Sequence, residues 1–156
     1  MYDDWTKVPY YQKNGYDAYS IVQHKTFNIG TIIRYLWRAG DKDPDTIAKD
    51  LYKAIGYLDL TISYYSNHDN DKIIKSGTES DNMNYIVNQM HILNTAFNDN
   101  TSISTFKHIA INRLTSIGNL HGYNEKQELA ISHLNVCKDI ICNFIDTNFK
   151  NFNNLV

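Results

Sequence analysis

Apolar residues recur at helical spacing over long stretches of this 156-residue chain, and this pattern limits its possible folds more than any other feature. Between residues 27 and 39 the apolar side chains stand three and four positions apart, which predicts one buried stripe on a helix: Ile29, Ile32, Ile33 and Leu36. The sequence contains two prolines and seven glycines, so few residues break helices. We therefore expect an all-α fold: one domain over residues 1–156, built as a compact bundle of four to five helices with a tyrosine-rich N-terminal cap.

The first 66 residues divide into two segments. Residues 1–26 are dense in tyrosine and contain Asn14-Gly15, which breaks any long helix, so we predict a cap with a short helix at about residues 17–24. Residues 27–66 form a predicted helical hairpin, in which Gly40 ends the first helix and Asp43-Pro44-Asp45 begins the second. The apolar stripe of the second helix is Ile47, Leu51, Ala54, Ile55, Leu58 and Ile62.

The remainder of the chain begins with a polar stretch that predicts a linker over residues 67–81. Three further helices are expected between residues 82 and 149, at about 82–97, 102–120 and 125–149. Their predicted inward residues are Met83, Ile86, Val87, Met90 and Phe97 on the first, Phe106, Ile109, Ala110 and Ile117 on the second, and Leu129, Val136, Ile140 and Phe144 on the third.

Charge and composition exclude several classes of function. A net charge of −2 argues against a protein held on DNA, RNA or an anionic membrane by its overall field. The sequence has no apolar run long enough to span a membrane and no signal-peptide pattern at its start, so we expect a cytoplasmic protein. Cys137 and Cys142 stand five apart on one helix and predict neither a disulfide nor a metal site. The phosphate-loop, dinucleotide, zinc-protease and serine-hydrolase motifs are missing from the sequence.

Basic and aromatic residues concentrate in the hairpin. Arg34 and Arg38 share one face of the first helix, Lys49 and Lys53 share one face of the second, and Lys42 lies in the turn. Guanidinium groups suit bidentate contacts with phosphate oxygens, and four nearby aromatic residues could stack on a base: Tyr35, Trp37, Tyr52 and Tyr57. The alternative is a solvated face neutralised by Asp41, Asp43, Asp45 and Asp50.

The hairpin also resembles a known family. The motif residues are Pro9-Tyr10-Tyr11, Phe27-Asn28-Ile29-Gly30-Thr31, Arg34-Tyr35, Arg38-Ala39-Gly40-Asp41-Lys42, Asp50-Leu51-Tyr52-Lys53-Ala54 and Tyr57. Over about residues 8–62 they resemble a family of small phage proteins that is catalogued as a domain of unknown function. The family includes the C-terminal part of a nucleotide kinase of T-seven-type coliphages that lacks a phosphate loop.

The resemblance implies a phage protein that acts on nucleotides in the host bacterial cytosol. Tyr10 stands where the family has His, Thr31 where it has Asn, and Arg34 where it has Lys. Losing the imidazole removes a candidate proton carrier, which favours binding over catalysis. We expect a protein that holds a nucleoside phosphate or cyclic nucleotide, and one such role is to sequester a nucleotide signal of host immunity. The alternatives are a nucleoside monophosphate kinase that uses Mg²⁺ and ATP, and a helical protein-interaction module.

The predicted binding residues come mainly from the hairpin. Arg34, Arg38, Lys42 and Lys53 are expected to contact phosphate, with Tyr11, Asn28 and Tyr57 shaping the pocket. Arg113 is a further candidate, because it falls on an apolar stripe where a charge needs a partner, and because residues 105–141 loosely repeat residues 26–62. The sequence assigns no catalytic residue and no resident metal or cofactor.

Assembly is predicted from the second helix of the hairpin. Tyr57, Leu60 and Tyr64 lie away from its main apolar stripe. Large apolar groups beside a cationic face predict a homo-oligomer.

Overall fold

Helices form where the apolar spacing predicts them. The computed structural model describes residues 11–23, 25–41, 43–67, 83–117 and 127–149. In these ranges the helices are α1 (Tyr19–Val22), α2 (Phe27–Arg38), α3 (Ile47–Asn67), α4 (Met83–Ala96), α5 (Ser102–Thr115) and α6 (Gln127–Asn148). The predicted all-α class is confirmed. Asn67, the first residue of the predicted linker, belongs to α3, and the rest of the linker lies outside the described residues.

Local signals set the ends of these helices. Helix α2 is followed by Gly40, whose φ of +81° is a left-handed conformation that favours glycine. The side chain of Asp43 accepts a hydrogen bond of 3.0 Å from the Asp45 N–H and so opens the 3-10 turn Pro44–Thr46, which leads into α3. Thr101 caps α5 in the same way by accepting from the Ser104 N–H at 3.2 Å. The predicted turn between the hairpin helices is thus present.

Four helices surround the core. Helix α2 packs against α3 and α5, and α6 also packs against both α3 and α5. Helices α2 and α5 run antiparallel, because Lys107 contacts the C-terminal end of α2 while Lys25, just before α2, donates to the Thr115 carbonyl at 3.2 Å. Helix α1 packs on α2, and α4 packs on α5.

A two-stranded hairpin precedes α1 within the predicted cap, and its second strand includes Asp17, where the short helix is predicted to begin. Strand β1 (Gln12–Lys13) pairs antiparallel with β2 (Tyr16–Asp17). Asn14 and Gly15 both have positive φ, of 50° and 88°, as a two-residue turn of this hairpin type requires. The Asn14 side chain donates to the Thr95 carbonyl at 2.9 Å, which caps the end of α4 and anchors the hairpin to the bundle.

The predicted inward faces of the last three helices are partly wrong. Val87 and Met90 on α4, Ile109 on α5 and Leu129 on α6 are exposed. The buried side chains include Gln89, Ile92 and Leu93 on α4, Lys107, Ile111 and Leu114 on α5, and Ala130, Leu134, Cys137 and Ile141 on α6. These helices carry apolar residues on more than one side, so their spacing allows two stripes, and packing against neighbours decides which one is buried.

Other predicted inward residues are buried: Phe97, Phe106, Ala110 and Ile117. The side chains of Met83 and Ile86 lie outside the described residues. Cys137 and Cys142 are free thiols; Cys137 is buried and Cys142 is half-buried. Across the described ranges, no helix combines the length and the apolar character needed to cross a membrane.

Candidate functional site

The two arginines of α2 converge on one oxygen atom. Arg34 Nη2 lies 3.2 Å and Arg38 Nη1 lies 3.4 Å from the Tyr11 hydroxyl, and the Arg34 guanidinium also stacks over the Tyr11 ring, with 5.3 Å from Cζ to the centroid. The one-turn spacing of the arginines places both on the face that meets the N-terminal segment. Tyr11 is buried, and the hydrogen bond from the Ala18 N–H to its carbonyl (2.9 Å) holds its backbone.

Arg38 is held on its other side by α3. Its Nη2 donates to Asp50 Oδ1 at 3.0 Å, and the Asp50 side chain is 5% exposed. Burial by itself would lower the pKa of Arg38, but Tyr11 and Asp50 raise it, so the guanidinium is charged. This ion pair joins the two helices of the hairpin.

Aromatic rings border the same residues. Arg38 lies over the Tyr35 ring at 4.8 Å from the centroid, and Lys53 Nζ lies over it at 5.6 Å. Tyr35 in turn stacks on Tyr57, with centroids 5.9 Å apart and an interplanar angle of 26°. We call Tyr11, Arg34, Tyr35, Arg38, Asp50, Lys53 and Tyr57 the arginine cluster.

Positive charge exceeds negative charge in the arginine cluster. Three of its members are cations, Arg34, Arg38 and Lys53, and one is a carboxylate, Asp50. Burial would raise the pKa of the Tyr11 phenol, but hydrogen bonds and charges from the two arginines lower it below its ordinary value. The phenol oxygen is therefore in an environment that favours negative charge. The alternative of a solvated face neutralised by aspartates holds in part, because Asp50 pairs with Arg38, but both arginines are half-buried rather than fully solvated.

The other hairpin residues of the predicted site are distributed differently. Asn28 is half-buried on α2, two turns before Tyr35, and Lys42 lies outside the described residues. The suggestion that Trp37 stacks on a base is wrong, because its side chain is fully buried against Phe97, with ring centroids 5.0 Å apart. Tyr52 is 39% exposed on α3.

Arg113 lies in a different part of the bundle. Its helix packs on α2, but its Nη1 lies 3.4 Å from His133 Nδ1 on α6. Because a guanidinium can only donate, His133 Nδ1 accepts this hydrogen bond and carries no proton. Burial, followed by the charge of Arg113, lowers the pKa of His133. Among the described residues, Arg113 therefore contacts His133 on α6 and not the residues of the arginine cluster.

Lys107, a buried lysine on α5 that was not among the predicted site residues, contacts the C-terminal end of α2. The Lys107 side chain is 2% exposed and donates to the Trp37 carbonyl at 2.9 Å and to Asp41 Oδ2 at 3.0 Å. Asp41 also accepts an ion-paired hydrogen bond from Lys13 on β1. Burial, and then the charge of Lys13, lower the pKa of Lys107 to about 8. Lys107 stands four residues before Ile111 and seven before Leu114, on the same buried stripe of α5. This spacing was the one signal in the sequence that Lys107 could be buried.

These acidic residues do not form a metal site. Asp50 pairs with Arg38, Asp41 pairs with two lysines, and Asp43 caps the turn before α3. The described ranges contain no group of three or more His, Cys, Asp or Glu side chains placed to hold a metal ion.

Comparisons of the chain with protein-family models, with curated proteins and with solved structures gave no match. The resemblance of residues 8–62 to the phage family stays a prediction.

Proposed function

We propose that the arginine cluster binds the phosphate group of a nucleoside phosphate or cyclic nucleotide, and that the protein holds this nucleotide without turning it over. The observation that carries the proposal is the convergence of Arg34 and Arg38 on the Tyr11 hydroxyl oxygen. Two guanidinium groups that share one acceptor form the arrangement that phosphate oxygens bind. A charged phosphate oxygen is a stronger acceptor than a phenol and can take its place.

The surroundings of the arginines support a nucleotide rather than a bare anion. The excess of cations over carboxylates in the arginine cluster favours a ligand that carries negative charge. The stacked Tyr35–Tyr57 pair, next to Arg38 and Lys53, supplies an aromatic surface for a base. Holding without turnover suits a protein that sequesters a nucleotide signal, such as one of host immunity.

Calorimetry tests this proposal directly. The full chain is titrated with nucleoside mono- and triphosphates and with cyclic mono- and dinucleotides, and the nucleotide is recovered and analysed after incubation with ATP and Mg²⁺. Saturable binding with intact recovery supports sequestration. A diphosphate product identifies a kinase instead. If no nucleotide gives binding heat, the proposal is wrong and the protein-interaction alternative gains.

Variants of the basic residues connect binding to the arginine cluster. Arg38→Ala is expected to weaken nucleotide binding about tenfold to a hundredfold, because it removes charge-assisted hydrogen bonds. Arg38→Ala also leaves the buried Asp50 carboxylate without its partner, which can destabilise the fold. Lys53→Ala is therefore a second variant, because the Lys53 side chain is exposed. We expect Lys53→Ala to weaken binding by up to about fivefold. Lys49→Ala, one turn earlier on α3 and also exposed, is the control that leaves affinity unchanged.

We also propose that the protein forms a homo-oligomer. Leu60 is 63% exposed and Tyr64 is 46% exposed on α3, and Tyr57 is half-buried. Large apolar side chains on one helix gain stability when a second copy covers them. Light scattering at tens of micromolar is expected to give at least twice the 18.1 kDa monomer mass. A monomeric mass contradicts this proposal.

A further inference from the structure

The ion pair between Arg38 and Asp50 leaves one polar atom of each residue unused. Arg38 Nη2 donates to Asp50 Oδ1 at 3.0 Å, but Arg38 Nε and Asp50 Oδ2 are buried and have no hydrogen-bond partner within the described part of the chain. The Asp50 side chain is 5% exposed and the Arg38 side chain 15% exposed. Buried polar groups are normally hydrogen-bonded, so an unused donor and an unused acceptor within one ion pair require an explanation.

The chemistry of these two atoms specifies what can satisfy both. A guanidinium N–H can only donate, and an ionised carboxylate oxygen can only accept. A single group that satisfies both atoms must therefore accept from Arg38 Nε and donate to Asp50 Oδ2. A hydroxyl does both, because its oxygen has lone pairs and its hydrogen can be given away. A fully ionised phosphate group fails, since it has no proton to donate to Asp50 and is repelled by the charge of Asp50.

The arginine cluster thus divides into two parts. Arg34 Nη2 and Arg38 Nη1 face the Tyr11 hydroxyl, where the phosphate is placed by the proposed function. The Nε atom of Arg38 and the free oxygen of Asp50 provide a second position on the same guanidinium group. We propose that this second position binds one hydroxyl of the ribose ring, the 2′- or the 3′-hydroxyl. This inference rests on the proposed function.

Deleting the hydroxyl from the ligand tests the inference on the unaltered protein. Calorimetry compares AMP, GMP, CMP and UMP with their 2′-deoxy and 3′-deoxy counterparts. Hydrogen bonds to charged groups predict that loss of the bound hydroxyl weakens binding by about tenfold to a hundredfold. Equal affinity for all three sugars overturns the inference and leaves the proposed function standing. If none of these nucleotides binds, the proposed function fails for this class and the inference fails with it.

An Asp50 variant assigns the selectivity to this residue. Asp50→Asn replaces the free carboxylate oxygen and is expected to reduce the preference for the ribose hydroxyl to about threefold or less. Lys49→Ala, on the adjacent exposed position, is expected to keep the full preference. If Asp50→Asn folds and keeps the preference, the assignment is wrong. If it does not fold, the deoxy-ligand comparison on the unaltered chain decides. A buried water between the two atoms, or a shift of Arg38 that closes a bidentate pair with Asp50, predicts equal binding of ribose and deoxyribose ligands and overturns the inference.

Discussion

Replacing Lys107 with Met is expected to change how the stability of the protein depends on pH. Lys107 is almost fully buried, and its pKa falls from an ordinary value of 10.5 to about 8 in the folded protein. Because the folded-state pKa is below the unfolded-state pKa, the unfolded chain keeps the proton over a range in which the folded chain has lost it. The stability that comes from this group is fully present above pH 10.5 and is lost as pH falls through about 8.

The size of this effect follows from the pKa difference. One pKa unit corresponds to about 1.4 kcal/mol, so the free energy of unfolding of the unaltered protein should rise, relative to Lys107→Met, by about 2.5 kcal/mol between pH 7 and pH 10. Taking the difference between the two proteins cancels the titration of most other groups. This matters because burial raises the pKa of Cys137 to about 12, which acts in the opposite direction above pH 9.

Urea unfolding followed by circular dichroism at pH 7, 8, 9 and 10 measures this difference. Lys138→Met is the control, because Lys138 lies at the surface and pairs with Asp59 at 2.7 Å. The hydrogen bond and the charge of Asp59 raise the pKa of Lys138. The free energy of unfolding of the unaltered protein relative to Lys138→Met should therefore not rise with pH. A flat profile for Lys107→Met refutes the reasoning that a buried, charged lysine costs folding free energy at neutral pH.

Three further predictions concern the same structure. Lys13→Gln removes a positive charge near Lys107 and should raise the pKa of Lys107. The pH at which Lys107 begins to add to the free energy of unfolding should therefore move upwards, and an unchanged pH contradicts the coupling of the two lysines. Gly40→Ala should lower the free energy of unfolding by about 1–2 kcal/mol, because the φ of Gly40 is +81°. Gly56→Ala, in open space on α3, should raise it by about 0.5–1 kcal/mol. Equal effects of the two substitutions argue against backbone strain at Gly40. Cys137 should resist iodoacetamide at pH 8 until the chain unfolds, since its buried thiol has a pKa of about 12, and mass spectrometry detects any earlier labelling.

The sequence by itself determined the two helices of the hairpin and the turn between them, whereas α5 ends at Thr115 and not near residue 120 as predicted. The strict spacing of Ile29, Ile32, Ile33 and Leu36 admits one stripe, and all four side chains are buried on α2. Gly40 marks a helix end because other residues rarely adopt its backbone conformation. These signals act within one or two helical turns, so they can be read without knowing which elements meet. The turn at Asn14-Gly15 was visible in the same way, although it joins two strands.

Only the tertiary structure decided which polar side chains meet. Arg34 and Tyr11 are 23 residues apart, and Lys107 and the Trp37 carbonyl are 70 residues apart. The sequence predicted Tyr11 and the two arginines as members of one site, but it gave no sign that the phenol oxygen lies between the guanidinium groups. Lys107 shares an apolar stripe of α5 with Ile111 and Leu114, but helical spacing does not show which stripe of that helix is buried. Burial and partner choice depend on packing between distant segments, and helical spacing carries no information about that packing.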